Sequence, residues 1–82
     1  MNKRVTYGQL RDVLTGLGFH ESRREEGAAF KHKPSDTLLL FRPHSDSDPL
    51  SSGEVFVVQH MLDEKGLLEP ESFEVLLTKT PA

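Results

Sequence analysis

The stretch from Phe19 to Phe41, FHESRREEGAAFKHKPSDTLLLF, constrains the fold more than any other part of the chain. Its alternation and its breakers predict three short antiparallel strands, at about 19–24, 28–33 and 37–42. Glu25-Glu26-Gly27 makes the first turn, because glycine takes up positive φ without steric cost and a glycine between two extended runs signals a hairpin. Pro34-Ser35-Asp36 makes the second: proline presets φ for a turn, and Ser and Asp bond back to local backbone. The third run, Thr37-Leu38-Leu39-Leu40-Phe41, is apolar on both pleat faces, so neither face is expected to stand fully in water. A three-stranded meander needs a second layer to pack against.

Helical segments on either side supply that layer. Thr6 is a good N-cap, Gln9 completes a capping box, and Val5 and Leu10 are placed for a hydrophobic staple. Tyr7, Leu10, Val13, Leu14 and Leu17 recur at helical spacing, and Gly16 and Gly18 offer left-handed stops, which predicts a helix at about 7–16. Residues 42–50, RPHSDSDPL, read as a loop on their prolines and Ser/Asp alternation. Ser51 with Glu54 caps a second helix at about 52–65, ended by Gly66, with Val55, Phe56, Val58, Met61 and Leu62 as its buried stripe. The run Val55-Phe56-Val57-Val58 favours strand by propensity alone, so packing must override propensity there. Pro70, Glu71 and the spacing of Phe73, Leu76 and Leu77 predict a short third helix at about 70–77, followed by a frayed tail from Thr78 to Ala82. The expected class is α+β, a single domain over residues 1–82 with a three-stranded antiparallel sheet packed on helices in the order α-β-β-β-α-(α). Leu40 and Leu62 are expected to face one core between the layers.

A chain of 82 residues makes one small core. It has no cysteine, which excludes a disulfide framework and any Cys-based zinc site and fits a reducing compartment. Its N-terminus lacks an apolar h-region, and no apolar run approaches the ~20 residues of a membrane span, so a cytoplasmic address with no membrane partner is expected. The net charge of −3 hides an asymmetry: residues 1–44 carry eight Lys/Arg against five acids, whereas residues 45–82 carry two against eight.

No residue pattern demands catalysis. The four histidines, His20, His32, His44 and His60, form no HExxH, and the Asp46-x-Asp48 start lacks the rest of a calcium loop. There is no nucleophile elbow, P-loop or GxGxxG. No cofactor or metal site is expected. The strands do offer a polar surface: Arg23, Arg24, Lys31, His32 and Lys33, with Arg42 beyond them, are positioned to contact a phosphate backbone. Phe30 and Phe41 are assigned to the core rather than to base stacking.

The order of these features resembles a known family. A helix, Leu17-Gly18-Phe19, a strand, the Gly27 turn, a strand ending at Pro34, an apolar strand, a loop holding His44, and Met61-Leu62-x-x-x-Gly66-Leu67 are similar to the HicA-type toxins. Glu69-Pro70-Glu71-Ser72-Phe73 resembles the tail helix of some members, so the likeness spans residues 5–77. It implies a dsRBD-like fold, mRNA interferase activity and neutralisation by a HicB-type antitoxin. The family's turn after the first strand, however, carries the catalytic histidine in a Gly-Ser/Gly-His sequence, and here Gly27-Ala28-Ala29-Phe30 puts Ala28 or Ala29 in its place. Alanine cannot move a proton. The family's Lys-rich loop is here Ser-Asp-Ser-Asp, which repels phosphate. The expected function is therefore a non-catalytic HicA-like binding domain, with weak double-stranded RNA binding on the basic sheet face. The alternatives are a protein-interaction module, with a HicB-like antitoxin or another protein as partner, and a surviving ribonuclease that uses His32 or His44.

Overall fold

A computed structural model of the chain describes residues 5–43 and 45–79; residues 1–4, His44 and residues 80–82 therefore lie outside the described residues. The elements run α1 (Tyr7–Gly16), β1 (His20–Arg24), β2 (Gly27–His32), a 3-10 turn (Lys33–Ser35), β3 (Thr37–Phe41), α2 (Ser52–Glu64) and α3 (Pro70–Lys79). The three strands form one antiparallel sheet in the order β1-β2-β3, with Glu21 opposite Phe30 and Phe30 opposite Leu39. This is the α+β arrangement that the sequence predicts. The boundaries shift by a residue or two: the strands run 20–24, 27–32 and 37–41, Lys33 belongs to the 3-10 turn rather than to a strand, α2 ends at Glu64, and Thr78 and Lys79 continue α3 instead of fraying.

Local chemistry fixes the helix ends. Thr6 and Gln9 close a reciprocal capping box on α1, and Ser51 and Glu54 do the same on α2. Each box satisfies backbone donors that a helix start otherwise leaves open. Both helices end in the same way. The Phe19 amide donates to the Leu14 carbonyl and the Gly18 amide to the Thr15 carbonyl; the Leu67 and Gly66 amides donate to Leu62 and Asp63. These are Schellman ends, which need a left-handed residue after the cap. Gly18 at φ 100° and Gly66 at φ 71° fill that position.

The core lies between the helices and one face of the sheet. Tyr7, Leu10 and Leu14 from α1, Phe30 and Leu39 from the sheet, Val58 and Leu62 from α2, and Phe73 from α3 are all buried. Tyr7 and Phe41 both pack on Phe30, with ring centroids 6.0 and 5.5 Å from it. Burying each such side chain stabilises the fold by about 1.5–3 kcal/mol. Of Val55-Phe56-Val57-Val58 only Val58 is buried and Val55 half-buried, so it is these two, with Leu62 and the Ser51–Glu54 box, that hold α2 against the propensity of that run. Two of the expected core residues are not in the core. Leu40 is 73% exposed, because only Thr37, Leu39 and Phe41 of β3 turn toward the helices. Phe56 is 64% exposed on the solvent side of α2, stacked on His60. The three helices pack on the core face of the sheet, and among the described residues nothing covers the second apolar row of β3, Leu38 and Leu40.

Candidate functional site

Strand pairing decides which cations can act together. His20 pairs with Lys31, Ser22 with Ala29, Lys31 with Leu38 and Ala29 with Leu40. Because side chains alternate across a strand, these residues share the outer face with Arg24. Together with Lys33 they line a shallow concavity of about 780 Å³. Its β1 and β2 side is mainly cationic, with Glu26 among Arg24, Lys31 and Lys33, and its β3 side is apolar, with Leu38 53% and Leu40 73% exposed.

Of the five residues expected to contact phosphate, only Arg24, Lys31 and Lys33 are on this face. Arg23 and His32 are on the other, for the elementary reason that neighbours along a strand point to opposite faces. Arg23 lies opposite buried Ala28, with its guanidinium 5.1 Å above the Tyr7 ring. Its Nη1 donates to Asp46 Oδ1 at 3.2 Å, and its Nε lies 3.7 Å from Glu21. His32 is only 8% exposed; its ring packs against Phe19 at a 32° tilt with centroids 5.0 Å apart, and its Nδ1 is 2.7 Å from the Ser35 hydroxyl. The Ser35 hydroxyl is in turn hydrogen-bonded to the Thr37 hydroxyl at 2.6 Å. This histidine is a satisfied core residue at the end of the sheet. It also stands four residues along β2 from Ala28, about 13 Å at strand rise, so it does not occupy the place the resemblance gives to a catalytic histidine.

The Ser45–Asp48 loop has a structural task that sequence reasoning missed. The Tyr7 and Gly8 amides donate to the Asp48 and Asp46 carbonyls, each at 2.9 Å, and the Leu50 amide donates to Val5 at 2.7 Å. The Ser45 amide and hydroxyl donate to the Asp48 carboxylate at 2.9 and 2.8 Å. The Asp46 carboxylate accepts from Arg11 at 2.8 Å and from Arg23 at 3.2 Å. The hydrogen bond from Arg11 is the chief reason that the Asp46 carboxyl sits below the usual carboxylate range. Arg11 correspondingly rises. The Tyr7 hydroxyl donates to Glu21 at 2.5 Å, and burial, followed by that bond and the Glu21 charge, pushes its ionisation well up. A phenol held protonated is no general base at neutral pH. The Tyr7-Glu21-Arg23-Asp46-Arg11 cluster thus clasps a loop to a helix and a strand.

What the sequence reading overlooked on the outer face is Leu38, Leu40 and His20. The signal was present in the period-two alternation of TLLLF once one face is assigned to the core. No family model, curated protein or solved structure matches the chain.

Proposed function

We propose that this chain is a non-catalytic, HicA-like, dsRBD-like domain that binds a protein partner on the outer face of its sheet. The observation that carries this reading is the exposed pair Leu38 and Leu40 on the edge strand β3, bordered on the β2 side by Lys31 with Arg24 and Lys33 beyond, on a face that no helix covers. A surface built to track phosphates gains nothing from two exposed leucines beside its cations, whereas an apolar patch bordered by charged residues is the ordinary anatomy of a protein interface. The matching partner surface is apolar with acidic residues around it. A HicB-like antitoxin is the partner class that the resemblance implies. The alanines at 28 and 29, together with buried His32, support a role without RNA cleavage.

Double-stranded RNA is the second reading, favoured by the three cations that do share the face. Three phosphate contacts give a slope of log K against log salt of about −2 to −3. The two readings part in one experiment. Co-expression with the product of the adjacent gene should yield a stable complex, lost on Arg24→Glu/Lys31→Glu and on Leu38→Ser/Leu40→Ser. Duplex RNA that binds with the stated salt slope, is indifferent to the leucines and is released by the same charge reversals would replace protein by RNA. RNA cleavage abolished by His32→Ala would overturn the non-catalytic reading.

A further inference from the structure

The two edges of the sheet are unlike. The β1 edge reads His-Glu-Ser-Arg-Arg, and charged side chains are a standard protection against pairing with another chain. The β3 edge reads Thr-Leu-Leu-Leu-Phe, five residues without a charge or a proline. No backbone hydrogen bond from any described residue reaches β3 on the side away from β2. The pairing pattern shows which groups are open. A two-residue turn joins Arg24 to Gly27, which makes them a hydrogen-bonded pair. Alternation then makes Phe30–Leu39 another such pair, so Thr37, Leu39 and Phe41 bond to β2. Leu38 and Leu40 are left with N–H and C=O turned outward. Beside this edge runs a second groove, between β3 and α2, walled by Leu38, Leu40, Val57 and Met61.

We infer that the β3 edge pairs with the β3 edge of a second copy of this chain, antiparallel about a two-fold axis at Leu39. Charge selects both the occupant and the register. In an antiparallel pair centred on Leu39, Leu38 faces Leu40 of the second copy and Thr37 faces Phe41. One step further out, Asp36 faces Arg42. The two-fold axis repeats that opposite-charge pair at the other end of the strand. Asp36 and Arg42 are both exposed, and neither forms an ion pair with a described residue in the single chain. Slipping the register by two residues would set charges against apolar side chains. An identical strand therefore satisfies the open amides and carbonyls of Leu38 and Leu40, covers their side chains laterally and pairs the flanking charges. Isologous pairing also closes on itself, so it ends at a dimer instead of propagating. The dimer is a continuous six-stranded sheet with the two cationic rims at its ends and four leucines at its middle.

This inference does not rest on the identity of the partner proposed above. Sedimentation equilibrium of the purified chain alone tests it. The wild type should pass from monomer to dimer as concentration rises, and no higher. Leu38→Glu/Leu40→Glu and Leu38→Lys/Leu40→Lys, both at exposed positions, should each stay monomeric with unchanged circular dichroism, because each repels its own copy. Mixing the two variants should restore a dimer. Arg42→Glu, which sets like charges opposite Asp36, should weaken association at least tenfold. A wild type that stays monomeric up to millimolar concentration overturns the inference. So do charge variants that dimerise as well as the wild type, or a mixture that does not associate.

Discussion

The sharpest test of the fold compares one substitution at two leucines that look alike in the sequence. Leu62 is fully buried on α2 and Leu40 is 73% exposed on β3. Leucine to alanine removes three carbons. At about 0.8 kcal/mol per buried methylene the transfer loss at Leu62 is about 2.4 kcal/mol. The space left within the buried cluster adds a cavity cost, for a total of about 3–5 kcal/mol. At Leu40 only about a quarter of the side chain leaves water on folding, so the same change costs about 0.6 kcal/mol. A domain of this size has about 4–12 kcal/mol in all. With a urea dependence of about 1 kcal/mol per molar, Leu62→Ala lowers the unfolding midpoint by about 3 M or more and Leu40→Ala by well under 1 M. Helix circular dichroism in urea, at protein concentrations low enough to keep the chain monomeric, reads both. Should Leu62→Ala leave no folded baseline, Leu62→Met keeps the comparison measurable, at a cost below about 1.5 kcal/mol. Equal losses at the two positions would refute the assignment of faces on β3. A loss below about 0.5 kcal/mol at Leu62 would refute the core itself, since such values belong to surface positions.

Gly27→Ala should destabilise on the order of 3 kcal/mol, because φ is 147° there and an added Cβ would strike the Phe41 carbonyl oxygen; a melt within 2 °C of wild type would show that the turn relaxes. Thr6→Ala should cost about 1 kcal/mol through loss of the α1 capping box, measured in urea. Asp46→Asn should lower stability at neutral pH. The folded-state pKa of Asp46 is depressed, so its contribution is present above the unfolded carboxylate value, about 4, and disappears as the pH falls through the folded value. The variant and wild-type urea midpoints should therefore converge in acid, and a gap that stays constant with pH would contradict the clasp. Tyr7 has the opposite sign: its folded pKa is raised, so stability should decline as pH climbs above 10.0, and Tyr7→Phe should remove that alkaline limb.

Elements and caps were legible because they depend on neighbours in sequence. Thr6–Gln9 and Ser51–Glu54 are local boxes, and the α1 helix begins and ends where its signals place it. Faces were less legible. TLLLF offers two apolar rows, and only the tertiary layer decides that Leu39 is covered while Leu40 is not. Grouping Arg23 with Arg24, and His32 with Lys31 and Lys33, failed for a reason that strand alternation already contained. The part of the candidate site with no sequence signal is the loop clasp, because it joins residues 11, 23 and 46 across three elements. A Ser/Asp run looks like solvated loop until its carbonyls are seen on the Tyr7 and Gly8 amides.

That last contact ties the lifetime of two amides to a loop some forty residues away. The first amides of a helix ordinarily face water and exchange their hydrogens quickly. Here the Tyr7 and Gly8 amides are sealed by the Asp48 and Asp46 carbonyls. Their deuterium uptake therefore times the opening of residues 45–48, not the fraying of α1. Loop and helix start become one cooperative unit: whatever lifts the loop unseals both amides together, while Leu10 and later amides, bonded within the helix, keep their own slower clock.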